Sequence, residues 1–294
     1  MTIFHMQTGS GGGGEPRDVV GGRLEKASAT SLEWQPYHHN CIGLYDGSNW
    51  VVVTPSSTPS LANSANDIDS AALAINYNYD IYAEYSSLTA LNLVAKKWTN
   101  DTIRSVTPAR WEGVLCYDNS TTAGKKRRWL GTIRMLSSSG AKFEDTENIR
   151  YISNYYNRIR KILSGNNSTS SWTYGTASWR EFNNGSGQTK GYVVFCSAQS
   201  LDVSLYATVQ VHTSSCYVGV GVDGSISGAA VGYTSGGLGY FMISTHNATY
   251  PYSVGIGYHY LSQHEYGQQY QSGKYAVDAL QQSSTNKVWT LIEA

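Results

Sequence analysis

Between residues 172 and 294 the chain carries only four Lys/Arg (Arg180, Lys190, Lys274, Lys287) and six Asp/Glu (Glu181, Asp202, Asp223, Glu265, Asp278, Glu293). They are scattered among short apolar runs at 191–196, 203–212, 216–222, 239–245, 253–261, 275–279 and 288–292. The runs are rich in β-branched and aromatic residues, and turn residues separate them. Such runs predict strands, and many of them at short spacing predict a β-sandwich, a jelly roll in particular. So little charge over so long a stretch also predicts that much of this surface is covered. Subunit contacts are depleted in charge and enriched in Tyr in the same way.

Composition extends this reading to the whole chain. Of 294 residues 14% are charged, against about 25% in an average globular protein. With 23 Tyr and 8 Trp the chain has ample apolar area to fold. The formal net charge is +0, so no general attraction to nucleic acid or to an anionic membrane is expected. No apolar run approaches the roughly 20 residues that span a bilayer, and residues 1–14 lack the basic and apolar regions of a secretory signal. The expectation is a protein made in a cytoplasm that inserts into no membrane.

The first half divides by texture. Residues 1–33, Gly-rich at the start and punctuated by Pro16 and Gly21-Gly22, read as an extended anchoring arm, with a terminus folded back on its own domain as the alternative. Residues 34–163 read as a compact β-rich domain. In it Asp46-Gly47 is a hairpin signal between the runs 39–45 and 49–53, because this dipeptide accepts positive φ. Residues 75–83 alternate Tyr77, Tyr79 and Ile81 with Asn76, Asn78 and Asp80, the pattern of a half-buried strand. Residues 88–98 read as the next strand. The runs 111–117 and 129–135 flank a polar tip that holds Lys125, Lys126, Arg127 and Arg128, a candidate contact for an acidic partner and otherwise a solvated tip. Residues 144–160 space Ile149, Ile152 and Tyr156 as a helix would, although 155–161 also fits a strand. Residues 164–174, rich in Ser, Asn and Gly, read as a linker before the C-terminal jelly roll at 175–294.

No pattern points to catalysis or to a cofactor. Gly219-Val-Gly-Val-Asp-Gly224 matches a dinucleotide-binding spelling, but no helix follows to face a pyrophosphate, and Asp223-Gly224 reads as a hairpin turn. His259 and His264, with Glu265, could meet across a turn, though spacing names no further ligand for an ion there. The carboxylates are scattered, without the close pair that glycoside hydrolysis needs. Cys41, Cys116, Cys196 and Cys216 have no zinc or redox spacing. The tyrosines of the C-terminal part, Tyr233, Tyr250, Tyr252, Tyr266 and Tyr270 foremost, suit either stacking on host-surface sugars or packing between subunits.

An ordered series of pieces resembles a family of tailed-bacteriophage virion structural proteins of the tail-fibre and head-fibre type. The pieces are 42–50 (IGLYDGSNW), 76–82 (NYNYDIY), 98–104 (WTNDTIR), 112–115 (EGVL), 128–134 (RWLGTIR) and 154–158 (NYYNR). More loosely, residues 175–294 resemble trimeric jelly-roll heads of the tumour-necrosis-factor and C1q kind. The resemblance implies a non-enzymatic protein of the virion. It would be a homotrimeric fibre or spike attached to other virion proteins through residues 1–33, with the jelly roll reaching toward a host glycan. A capsid-decorating protein and a glycan-degrading tailspike are the alternatives.

Overall fold

The computed structural model describes residues 15–118, 120–137, 140–168, 171–172, 174, 176–186, 188–211, 215–226, 231–235, 239–246, 252–267, 277–281 and 287–293. As the strand runs predict, they are mainly β, with almost no helix.

A 3-10 turn at Pro16–Asp18 leads into β1 (Gly22–Lys26) and β2 (Ser31–Pro36), which pair antiparallel with Leu24 opposite Trp34. Leu24, Leu32 and Trp34 share one face of this hairpin and are buried. Residues 15–33 are therefore part of the body and not an arm. Three apolar residues on one side of a hairpin outweigh the Gly and Pro that made the segment look unstructured. The rest of the predicted arm, residues 1–14, lies outside the described residues. β3 (Ile42–Tyr45) and β4 (Trp50–Val53) form the expected hairpin. In its loop Gly47 has φ +114°, and the Asp46 carboxylate accepts from the amides of Ser48 and Asn49 at 2.7 and 2.8 Å.

β5 (Ser60–Ala62) extends the first sheet beyond β2. Next come β6 (Asn78–Ser87), β7 (Ala90–Lys97), β8 (Ala109–Trp111), β9 (Val114–Cys116), the one-turn α1 (Thr122–Lys125) and β10 (Arg127–Arg134). Their sheet runs β7-β6-β10-β9-β8. A small hairpin of β11 (Leu136–Ser137) and β12 (Ala141–Lys142) follows. The body core unites Leu24, Leu32, Trp34, Ile42, Leu44, Ile81, Leu93, Ile133 and Phe143. One expectation needs correcting: β6 is buried on both faces from Asn78 to Ala83. Tyr79 and Ile81 enter the core, and Asn78, Asp80 and Tyr82 on the other side are also at most 1% exposed.

No helix forms over 144–160. β13 (Asp145–Thr146) and β14 (Ile149–Arg150) make a tight hairpin, and Arg150 and Lys161 both bond the Asp145 carboxylate. β15 (Ile152–Asn154) then returns to pair with β10. Ile149 and Ile152 thus serve two different sheets, which spacing alone reads as one helical stripe. β16 (Arg160–Asn167) takes in Ser164–Asn167 of the predicted linker, so that composition marks a strand end there.

The C-terminal part continues with β17 (Ser171–Trp172), β18 (Trp179–Glu181), β19 (Gln188–Thr189), β20 (Gly191–Phe195), β21 (Gln199–Val211), β22 (Ser215–Val222) and β23 (Val231–Ser235). It ends with β24 (Gly239–His246), β25 (Tyr252–Val254), β26 (Gly257–Gly267), β27 (Val277–Gln281) and β28 (Lys287–Glu293). Two sheets carry the principal strands: β16-β28-β21-β24 and β20-β26-β22-β23. Numbered one to eight along the chain, these strands run 1-8-3-6 and 2-7-4-5, the order of a jelly roll. β14 joins the second sheet by pairing parallel to β20. Leu163 and Ile292 from one sheet and Val193, Phe195, Val218, Val220 and Leu261 from the other are buried in the head. A side chain at Gly191 would press on Leu163 of the facing sheet.

Body and head meet in a charged seam. Asp80 is 1% exposed and accepts from Arg104 Nε at 2.8 Å, Trp129 Nε1 at 3.0 Å and Thr132 Oγ1 at 2.7 Å. Burial pushes its carboxyl above the ordinary value while these partners pull it back. The Arg104 guanidinium lies over the rings of Trp98 and Trp129, 4.7 and 4.9 Å from their centroids, and donates to the Cys196 carbonyl of the head at 2.8 Å. Beside it Arg134 bonds Asn78 and Asp101 and sits 3.8 Å over the ring of Tyr258. The Asp101 carbonyl accepts the Tyr258 amide, and Gly257, at φ +109°, leaves no room for a Cβ against that carbonyl. Asn78, Asp80, Trp98, Asp101, Arg104, Trp129, Thr132 and Arg134 all belong to pieces that carry the virion-protein resemblance. In this fold they hold body to head.

Candidate functional site: an aromatic face on the head

Residues opposite one another in a sheet share a face. Val218, Val220 and Leu261 point into the sandwich, so the alternate positions of β26 and its neighbours point out. Three cross-strand rows result. The first places Trp179, Tyr266 and Tyr217 side by side, with the backbone of Tyr233 in register beyond them. Its rings lie 5.4 Å (Trp179–Tyr266), 5.5 Å (Tyr217–Tyr266) and 6.3 Å (Trp179–Tyr217) apart. The second sets Glu181 beside His264 and Gly219. Further along, Tyr192 and Tyr260 pair at 6.4 Å, and the Lys190 ammonium lies 4.4 Å above Tyr260 while bonding Glu181 at 2.6 Å. Tyr258, one step on, is where the body begins to cover the face. Trp179, Glu181, Lys190, Tyr192, Tyr217, Tyr260 and Tyr266 are all half-buried.

The floor of this face explains the glycines. The His264 ring lies across Gly221, where a Cβ would collide with it. Asp223 and Gly224 have φ 54° and 77°, and Val222 and Ser225 exchange amide bonds, so this is the expected two-residue hairpin turn and no phosphate cradle. His264 Nε2 meets Ser262 Oγ at 2.9 Å, a spacing that would suit base and nucleophile. Both residues are at most 4% exposed, and burial lowers the His264 pKa. Closed off from substrate, the pair orients the ring.

The two histidines do not share an ion site. Five residues apart on one strand, they occupy opposite faces, and His259 Nδ1 is paired with Asp223 Oδ2 at 2.7 Å. Glu265 faces inward and accepts from Arg180 Nε at 2.8 Å. Among the described residues no group of three His, Cys, Asp or Glu could hold a metal.

The predicted basic patch is split. Arg128 is 3% exposed and donates through Nη1 to the carbonyls of Arg17 (2.7 Å) and Gly43 (2.9 Å), so it serves the interior and is not part of a surface contact. Arg127 bonds Glu84 at 2.8 Å. Both are strand residues of β10, not members of a tip. Lys125 lies 4.9 Å over Trp111, which stacks on Trp50 at 5.2 Å and meets Tyr45 at 4.3 Å, and Lys126 approaches the Gly47 loop.

Of the predicted contact tyrosines, Tyr266 lies in the first aromatic row. The backbone of Tyr233 shares its register and that of Tyr252 lies in β25, while Tyr250 and Tyr270 fall outside the described residues. Trp179, Glu181, Lys190, Tyr192 and Tyr217 join the face without any sequence motif that marks them. The available signal was the even-numbered series Tyr258, Tyr260, Ser262, His264, Tyr266, which is one face of one strand.

No family model and no curated protein matches the chain. Among solved structures, an insecticidal delta-endotoxin of Bacillus thuringiensis is 7% identical with a TM-score of 0.26, covering 93% of this chain and 51% of the toxin. A Cry tryptic core variant of the same species is 8% identical with a TM-score of 0.21, covering 92% and 50%. A family 43 arabinoxylan arabinofuranohydrolase of Bacillus subtilis, in complex with cellotetraose, is 12% identical with a TM-score of 0.17, covering 92% and 52%. The chain thus spans about half the length of each. Likeness this slight leaves function to the geometry.

Proposed function

We propose that the chain is a non-enzymatic structural protein of a bacteriophage particle, a trimeric fibre or spike whose jelly-roll head stands on a β-rich body. The observation that carries this reading is the seam: three of the six pieces resembling phage virion proteins (76–82, 98–104 and 128–134) supply the side chains that fasten a jelly roll to the body. The tie to neighbouring virion proteins then falls to residues 1–14, together with the Tyr45–Trp50–Trp111 surface and Lys125, because residues 15–33 are committed to the body. The head is left to face the host.

Light scattering on the purified full chain, together with antibody labelling of particles, tests this. The expected mass is three times 32.1 kDa, with label at fibre positions on the head or tail. A monomer, or particles without the protein, would sink the proposal. Uniform label over the capsid would instead select the decoration reading.

A further inference from the structure

We propose that the outer face of the β20-β26-β22 sheet is a binding site for an uncharged polysaccharide lying along β26. This deepens the fibre reading and rests on it for the source of the sugar. Three observations carry it. First, Trp179, Tyr217, Tyr266, Tyr192 and Tyr260 are all half-buried on one face, as are two polar side chains between them. An ordinary solvated sheet face carries charged and small polar residues there. A pyranose ring presents a flat array of C–H groups, which suits the electron-rich face of an aromatic ring. Second, the distance from Tyr260 to Tyr266 along an extended strand is about 20 Å, room for several sugar rings in file. Third, the charges cancel. Glu181 and Lys190 are bonded to each other at 2.6 Å, and burial favours neutral His264. The face offers hydroxyl-binding groups (one carboxylate, one ammonium and tyrosine hydroxyls) without a net field to draw an acidic chain.

The test uses the full chain on an array of bacterial surface polysaccharides, with dextran and galactomannan as added uncharged probes and alginate as the acidic control. The expected result is binding to at least one uncharged glycan that weakens at least tenfold in Tyr217→Ala/Tyr266→Ala, with alginate unbound. Tyr266→Phe keeps the ring and the packing, so it should bind within a few-fold of the parent and guards against a double variant that fails to fold. Binding to alginate alone, binding unchanged in a folded double variant, or no glycan bound at all overturns the proposal. So does a fall in oligomer mass in the double variant, which would make the face a subunit contact. Absence of the protein from particles would sink the fibre reading and leave a positive array standing, whereas an empty array with labelled particles removes only the sugar site.

Discussion

The seam and the outer face of the head use the same vocabulary to opposite ends. Each has an acid, a base and aromatic rings under the cation: Asp80, Arg104, Trp98 and Trp129 in one, Glu181, Lys190 and Tyr260 in the other. In the seam the side chains of Asp80 and Arg104 are 1% and 9% exposed. On the face those of Glu181 and Lys190 are each 24% exposed. A desolvated pair must be complete, since losing one member strands the other, whereas a half-solvated pair shares its partners with water. The first is thus architecture. The second stays free to exchange its bonds with a ligand.

The sharpest way to break this contrast is Arg104→Met. It leaves Asp80 buried without its cation and should destabilise the protein by about 3–5 kcal/mol in urea unfolding. A loss below about 1 kcal/mol would mean the seam is no more than a surface pair. A smaller effect concerns the floor of the face. His264 is held below its ordinary 6.5 by burial. As pH falls below about 6.5, the unfolded chain takes up that proton before the folded one does. Its contribution to stability is therefore present above that value and lost as pH falls through the depressed folded value. His264→Gln should flatten the decline in stability between about pH 7 and pH 5, and an unchanged slope would show that the ring is not shielded. Smallest of all, Lys190→Ala should cost about 0.2–1 kcal/mol, read as a slight shift of the urea midpoint.

How much of this was legible follows the same divide. The jelly roll is readable because β20, β22 and β28 keep apolar runs between turn residues and Asp223-Gly224 spells its turn outright, as Asp46-Gly47 does for the body hairpin. β16 was lost to its Ser, Asn and Gly content, since strand identity there comes from pairing with β28 and not from its own side chains. The apolar run of β26 ends at Leu261. The strand's second half, Ser262-Gln263-His264-Glu265, is polar yet buried, with partners such as Arg180 that arrive from distant sequence. The seam was hidden for a related reason. Asp80 and Arg104 look like solvated charges until Trp98 and Trp129 close over them. The aromatic face needed register, because Trp179 and Tyr217 come from different strands and become neighbours only across Tyr266.

The path of the chain between body and head has a mechanical consequence. β14 lies in the head sheet, β15 returns to the body sheet and β16 opens the jelly roll, so the polypeptide stitches across the junction more than once within a short span. A single linker would act as a swivel. Stitched in this way, and with the Arg104 and Arg134 side chains as cross-braces, the junction resists torque as a welded bracket does. A tug on the head would be felt at the base as a change of angle rather than absorbed as slack.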